Sequence, residues 1–385
     1  MLWMIRHRHA PELALFAVLL LLVGLTVQPY AGNITALFHM DEQLAASHPV
    51  PQEFVVLQMP GYDGMHYYQI ARDIPRIANP AEWPALGADN QHGSYAYQRF
   101  LLPLAAFVLS LGQTALLPWA FLLINIGSII GAFAIARRRW PSSILPALAI
   151  ALSPAAMVGL HFSLAEPLSL LLLTAFLARY TKHERVGWTE TGLLSLLVLA
   201  REVHILFWLG IVVFSLLRKR WLDVARLLIP LLVFLALHSL IFDIFQEVPF
   251  LLSAAKRTPP FGAAIQLVGG RQGYNLYTAS SIALLLLFVL PALLLSLRRW
   301  VRSRGLPFIP VMLSGFLLVM LAMPDFIWGS ITSIGRVITP VYPLFAVFAA
   351  QHPSPTKSLL CRIVVLLGLA AGAGLAFIPH PFVLS

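Results

Sequence analysis

Residues 115–139 read ALLPWAFLLINIGSIIGAFAIARRR, an uncharged run closed by three arginines. At 1.5 Å per residue the uncharged part extends about 33 Å as a helix, enough for a hydrocarbon core of roughly 30 Å. The arginines then mark one membrane face. Runs of the same kind recur along the 385 residues, near 11–28, 115–136, 143–160, 167–181, 188–200, 205–217, 224–244, 278–297, 307–323, 334–350 and 363–378. The composition agrees: 59% of residues are hydrophobic and only 11% charged, against about 25% charged in a soluble domain, and the mean hydropathy is +0.82. The expected fold is an all-α polytopic membrane protein with about 11 transmembrane helices in a single domain spanning 1–385. No stretch remains for a separate soluble catalytic or nucleic-acid-binding domain. The single cysteine, Cys361, excludes an intrachain disulfide and a cysteine-rich metal site.

The charges set the expected topology. RRR (Arg137–Arg139), KHER (Lys182–Arg185), RKR (Arg218–Arg220) and RRWVRSR (Arg298–Arg304) fall in alternate links, joined by Arg6, Arg8, Lys357 and Arg362. Of the 26 basic residues, 18 share the side of the N-terminus, and 12 of the 16 acids lie opposite. The positive-inside rule puts the N-terminus in the cytoplasm and the acidic links outside, in the periplasm for a bacterial inner membrane or in the lumen for the endoplasmic reticulum. The net charge of +10 is then a topology signal and no nucleic-acid footprint. Leu13 to Val27 runs into Gln28-Pro29-Tyr30 without a small-residue cleavage pattern, so the first run is expected to remain as a span. Phe100 to Leu111 reaches only about 18 Å and is expected to be a juxtamembrane or re-entrant outer helix. Arg201, Glu202 and His204 split 188–217 into two short helices whose charges must face protein or a water-filled cavity.

The longest link, residues 29–98, holds seven of the acids and contains PGYDGMHYYQIARDI and SYAYQRFLLPL. With the short run after it, it forms an outer loop over 29–114. Met65, Tyr68, Ile70, Ala71 and Ile74 have helical spacing, with Arg72 and Asp73 on another face, which suits a helix lying in the membrane interface. Asp63 stands at its start. A second long outer link, 245–277, carries Lys256-Arg257-Thr258-Pro259-Pro260 and a glycine-rich Gly269-Gly270-Arg271, and is expected to be a mobile cover; it lacks the spacing of a phosphate-binding loop.

Asp63-Gly64, Tyr67-Tyr68, Ile70-Ala71-Arg72 and the later Phe100-Leu101-Leu102-Pro103-Leu104 resemble the first outer loop of the type-C glycosyltransferase superfamily (GT-C). The likeness is to the dolichyl-phosphate-mannose-dependent mannosyltransferases of glycosylphosphatidylinositol assembly and their bacterial relatives. Ser163-Leu164-Ala165-Glu166-Pro167 is similar to the acidic-residue-then-proline of the second outer turn of such enzymes, and Gly335-Arg336-Val337-Ile338-Thr339-Pro340 to the basic residue that opens a late span. The resemblance covers most of the chain as an order of short motifs. Tyr62 stands where the mannosyltransferases carry tryptophan, which leaves the sugar open, and the end at residue 385 without a soluble C-terminal domain argues against an oligosaccharyltransferase-like enzyme.

The resemblance implies a GT-C-like bundle that moves one sugar from a polyprenyl-phosphate carrier to a hydroxyl of a glycan, lipid or protein acceptor on the outer face, with inversion. Such a reaction needs one carboxylate as general base. Because the leaving group is already a phosphate, it needs guanidinium donors and no second carboxylic acid. Asp63 is the expected base, with helix capping as its competing role. Glu166 is the second acid, in acceptor positioning or as a helix-start charge. Arg336 and Arg201 are the expected phosphate contacts, against snorkelling to headgroups for Arg336 and an Arg201–Glu202 pairing for Arg201. Glu202, Arg99, His66, Tyr67 and Tyr68 complete the expected substrate contacts, the two tyrosines equally suited to anchor the interface. No cofactor is required; a divalent cation held by Asp63, His161 and Glu166 is an option that the sparse ligands weaken. A transporter of a lipid-linked or anionic substrate, a polysaccharide polymerase or ligase, and a non-catalytic GT-C-like scaffold are the rivals. A transporter would carry internal repeats and broken midplane helices, and no repeat is evident.

Overall fold

The apolar runs fold as helices because a chain segment without polar side chains can satisfy its backbone only within itself. The computed structural model describes residues 2–48, 50–58, 61–84, 86, 93–247, 276–303, 305–323 and 331–377. In chain order the helices are α1 Leu2–Val27, α2 Glu42–Ser47, α3 Asp63–Ile77, α4 Leu101–Leu109, α5 Leu117–Arg139, α6 Leu145–Ala151, α7 Pro154–His161 and α8 Glu166–His183. After these come α9 Trp188–Ala200, α10 His204–Leu217, α11 Trp221–Phe245, α12 Leu276–Leu284 and α13 Leu290–Arg302, the last two joined by a π-helical turn at Leu285–Val289. The chain closes with α14 Phe308–Leu321, α15 Ile331–Val337, α16 Val341–Gln351 and α17 Pro355–Phe377.

Among the described residues, five segments are long and apolar enough to cross a membrane: His9–Tyr30, Thr114–Arg139, Trp221–Phe245, Ala279–Arg302 and Pro355–Ala376. Their outward faces carry exposed leucines, Leu21, Leu123, Leu232 and Leu366 among them, a surface suited to hydrocarbon. The other apolar helices are shorter, and several of the expected runs are broken. The run at 143–160 divides into α6 and α7 at Ser153-Pro154. Proline has no amide hydrogen to continue a helix, and the Ser153 hydroxyl instead accepts from the Ala156 amide at 3.2 Å and opens a new one. Arg201-Glu202-Val203 separates α9 from α10, as the interrupting charges require.

The run at 334–350 is also broken, and here the expected geometry is corrected. Arg336 does not open a helix; it lies in the last turn of α15, and a turn at Ile338–Pro340 precedes α16. Pro340 again cannot donate, and the Thr339 hydroxyl caps the Arg336 carbonyl.

The described residues of the 29–98 link are folded. Met40–Asp41 and Val56–Leu57 pair as two parallel two-residue strands, the only sheet among the described residues. Asp41 caps α2 through the Leu44 amide at 2.7 Å and takes the Gly61 amide at 3.1 Å, which fixes the approach to α3. Phe38, Phe54, Tyr68 and Phe121 form an aromatic cluster with centroid separations of 4.7–5.8 Å, seating the loop on α5. α3 therefore buries more than one stripe: Met65, Tyr67, Tyr68, Gln69, Ile70, Ala71 and Asp73 are all enclosed, so this helix packs into the protein and does not float on an interface. α4 is a short helix beside it, covering nine residues of the expected run from Phe100 to Leu111. Residues 248–275, which hold most of the expected cover, lie outside the described residues.

Candidate functional site

Asp63 begins α3, and the residue before it, Tyr62, is the N-cap in extended conformation. The Asp63 carboxylate is thus not a cap. One of its oxygens, Oδ2, accepts from Arg99 Nη1 and from Arg336 Nη2, each at 2.7 Å. What lets α3 come this close is Gly64: a β-carbon there would stand 2.0 Å from the Phe162 carbonyl oxygen, so the helix start rests backbone to backbone on the turn between α7 and α8.

That turn also places Glu166. Ser163 adopts a left-handed conformation with φ of 53°, the Leu164 amide bonds back to the Gly159 carbonyl at 2.8 Å, and α8 starts at Glu166 with Pro167 in its first turn, where the missing amide costs nothing. Glu166 Oε1 accepts from Arg336 Nε at 2.6 Å and lies 3.0 Å from Arg201 Nη1. Arg201, just past α9, also donates to the Arg336 carbonyl at 2.7 Å. On the other flank Glu202 takes Arg99 with both oxygens, from Nε at 3.1 Å and Nη2 at 3.0 Å.

The result is one alternating chain, Glu202–Arg99–Asp63–Arg336–Glu166–Arg201, in which three carboxylates balance three guanidiniums. Its members come from the 29–114 segment, the start of α8, the α9–α10 break and α15, and the expected residues Asp63, Arg99, Glu166, Arg201, Glu202 and Arg336 all belong to it. The Arg201–Glu202 pairing weighed against a phosphate role for Arg201 is not what forms; the ion pairs are Arg201–Glu166 and Glu202–Arg99. Phenols complete the set of acceptors around the guanidiniums: Tyr67 hydroxyl accepts from Arg99 Nη1 at 3.3 Å, Tyr95 from Arg99 Nη2 at 2.7 Å and Tyr62 from Arg336 Nη1 at 3.0 Å. The Arg99 and Arg336 guanidiniums also lie over the Tyr95 and Tyr62 rings, 5.0 and 5.1 Å from the centroids. Tyr62 stacks on Phe162 at 4.2 Å.

Accessibility grades the acids. Glu166 is 0% exposed at its side chain, Glu202 20% and Asp63 35%. Burial pushes the Asp63 carboxyl up, but the guanidiniums of Arg336 and Arg99 more than reverse this, with help from His66, and hold it well below the usual carboxylate range. Burial pushes the Tyr67 phenol up, so it stays a neutral donor and acceptor.

Tyr68 is the expected contact that the structure places elsewhere, inside the Phe38–Phe54 cluster at 1% exposure and away from the charge chain. The helical spacing explains this, since Tyr67 and Tyr68 point about 100° apart. His161 also stands apart: its Nδ1 lies 3.1 Å from the Thr26 hydroxyl and its ring 5.2 Å from that of His39. Among the described residues, no group of three His, Cys, Asp or Glu side chains is arranged to hold a metal ion.

Tyr95, Tyr62 and Thr339 were not among the expected contacts. Tyr95 had a signal, four residues before Arg99 in SYAYQR, and Thr339 one, three residues after Arg336, but nothing local marks Tyr62 as a partner of Arg336. Compared with known proteins, the chain matches no family model, no curated protein and no solved structure.

Proposed function

We propose that this protein is a membrane-embedded glycosyltransferase of GT-C type, with about 11 crossings, a cytoplasmic N-terminus and an outward-facing site. It transfers a monosaccharide from a polyprenyl-phosphate carrier to a hydroxyl acceptor. The observation that carries this reading is the accessible Asp63 carboxylate beside two guanidiniums, each anchored from behind by a second, less accessible carboxylate. A base adjacent to a preset anion site is what an inverting transfer from a phosphate leaving group requires.

In the reaction the acceptor oxygen forms a bond to the anomeric carbon from the face opposite the phosphate, and its proton passes to Asp63. The bond from the anomeric carbon to the phosphate oxygen breaks, with its electron pair left on the phosphate. The phosphodiester anion becomes a phosphomonoester dianion as Asp63 becomes neutral, so charge is conserved. Arg99 and Arg336 carry the added phosphate charge, Arg201 and Glu166 hold Arg336 in place, and Tyr62, Tyr67 and Tyr95 orient the two guanidiniums. His66, half-buried on α3, is close enough to Asp63 to help hold its carboxyl down.

The test is sugar transfer from radiolabelled polyprenyl-phosphate monosaccharides to membrane acceptors, comparing wild type with equally expressed Asp63→Asn. Wild-type transfer and a loss of about 10²- to 10⁴-fold in the variant are expected. Equal transfer by both removes Asp63 from the mechanism, and no transfer by wild type with any donor favours the transporter or scaffold.

A further inference from the structure

Arg99 and Arg336 each hold two carboxylates, and the two are unlike. Glu202 grips Arg99 with both oxygens. Glu166, wholly buried, takes the Nε of Arg336 and pairs with Arg201 behind it. Asp63 makes one bond to each arginine, through a single oxygen, and is the most accessible of the three acids. Without Asp63 both guanidiniums would remain anchored and paired. Two donors, Arg99 Nη1 and Arg336 Nη2, would then converge on the single point that Asp63 Oδ2 now fills, 2.7 Å from each. Two N–H groups aimed at one oxygen position are the geometry of a phosphate-oxygen cradle.

We propose that Asp63 is a displaceable stand-in for the phosphate of a phosphodiester: the phosphate oxygen takes the place of Asp63 Oδ2 between the two arginines, and the carboxylate so released becomes the base. The second half rests on the transferase reading, whereas the first needs only an anion. The groups that face Asp63 are Arg99 from the segment before α4, Arg336 from α15 with Glu166 behind it, and Tyr62, His66 and Tyr67 from its own segment. Held by both guanidiniums, Asp63 is a poor base. An anion between the arginines takes up their charge and sets a like charge beside the carboxylate, and both effects raise its proton affinity. The base is thereby switched on only when there is a donor to consume. After transfer, Asp63 loses its proton to water and competes again for the same two N–H groups, which helps expel the phosphomonoester.

The test uses the detergent-purified full chain and geranyl methyl phosphate, a sugar-free phosphodiester that does not titrate near neutrality, with binding measured by calorimetry. Asp63→Asn removes the competing charge at constant size and is expected to tighten binding about tenfold. Unchanged or weaker binding in the variant overturns the proposal, as does an absence of binding in both. If the variant does not fold, binding to the His66→Gln protein at pH 5 in buffers of different ionisation enthalpy is expected to show net proton uptake; zero uptake overturns the proposal. Tighter binding by the Asn variant alongside failed sugar transfer with every donor would sink the transferase reading and leave the displacement standing. Normal transfer with no tightening would do the reverse.

Discussion

Gly64→Ala perturbs the site without touching any charge. The added β-carbon would lie 2.0 Å from the Phe162 carbonyl oxygen, a backbone atom at a turn already held by the Leu164–Gly159 bond, and real β-carbons do not approach closer than 3.0 Å. The start of α3 must therefore recede by at least about 1 Å, a strain of the kind that costs about 1–3 kcal/mol in a packed interior. Asp63 is the adjacent residue, and a 1 Å retreat along either of its 2.7 Å bonds stretches that bond past the limit of a hydrogen bond. A misplacement of this size costs about 10²-fold in rate where a reacting group is involved. Sugar transfer and thermal unfolding in detergent would be measured together, with Gly127→Ala as the control, since a β-carbon at Gly127 meets nothing within 4 Å. The expected result is a loss of transfer near 10²-fold with a lowered melting temperature for Gly64→Ala, and neither for the control. Transfer within threefold of wild type at an unchanged melting temperature would refute both the close packing and its link to Asp63.

Three further outcomes are expected. Glu166→Gln leaves Arg201 and Arg336 with one carboxylate fewer in a buried setting and should cost about 3–5 kcal/mol of stability; adding Arg201→Met should recover part of it, and strict additivity in a double-mutant cycle of unfolding would argue against a shared network. The folded Asp63 carboxyl is held below its unfolded value of about 3.9, so its contribution is complete above that value and is lost as pH falls through the folded one. The melting temperature of wild type relative to Asp63→Asn should stay level from pH 8 to about 5 and shrink below about 4, whereas a decline already at pH 6 would show that the two arginines do not hold the carboxyl down. Ser153→Ala removes the hydroxyl that opens α7 and should destabilise by about 0.5–2 kcal/mol, read by thermal unfolding; an unchanged value would mean that Pro154 alone makes the break.

How much of this was legible in the sequence depends on whether the cause was local. The split at Arg201-Glu202 could be read because charges in an apolar run act where they stand. The breaks at Ser153-Pro154 and Thr339-Pro340 follow an equally local rule, the missing amide of proline, but were masked by the hydrophobicity of the residues around them. Asp63, Arg99, Glu166, Arg201, Glu202 and Arg336 could each be singled out, since a charge beside apolar sequence must find a partner. Who pairs with whom could not be read: Asp63 and Arg336 lie 273 positions apart, and nothing near either encodes the other. Tyr68 illustrates the converse. It shares a motif with Tyr67, yet a turn of one residue about the α3 axis sends one phenol to Arg99 and the other into the Phe38–Phe54 cluster.

The alternating chain of charges also has a history within each molecule. Five of its six members have been synthesised once residue 202 is added, and they comprise three acids and two arginines, an excess of one negative charge. Arg336, which balances the sum and bridges Asp63 to Glu166, is synthesised about 130 residues later, on the order of ten seconds at ribosomal speed. Throughout that interval the nascent chain carries three of the site's acids against two of its arginines, and the site is completed only with Arg336, ahead of α16 and α17. A chain stopped before α15 would lack Arg336 and with it the bridge between Asp63 and Glu166.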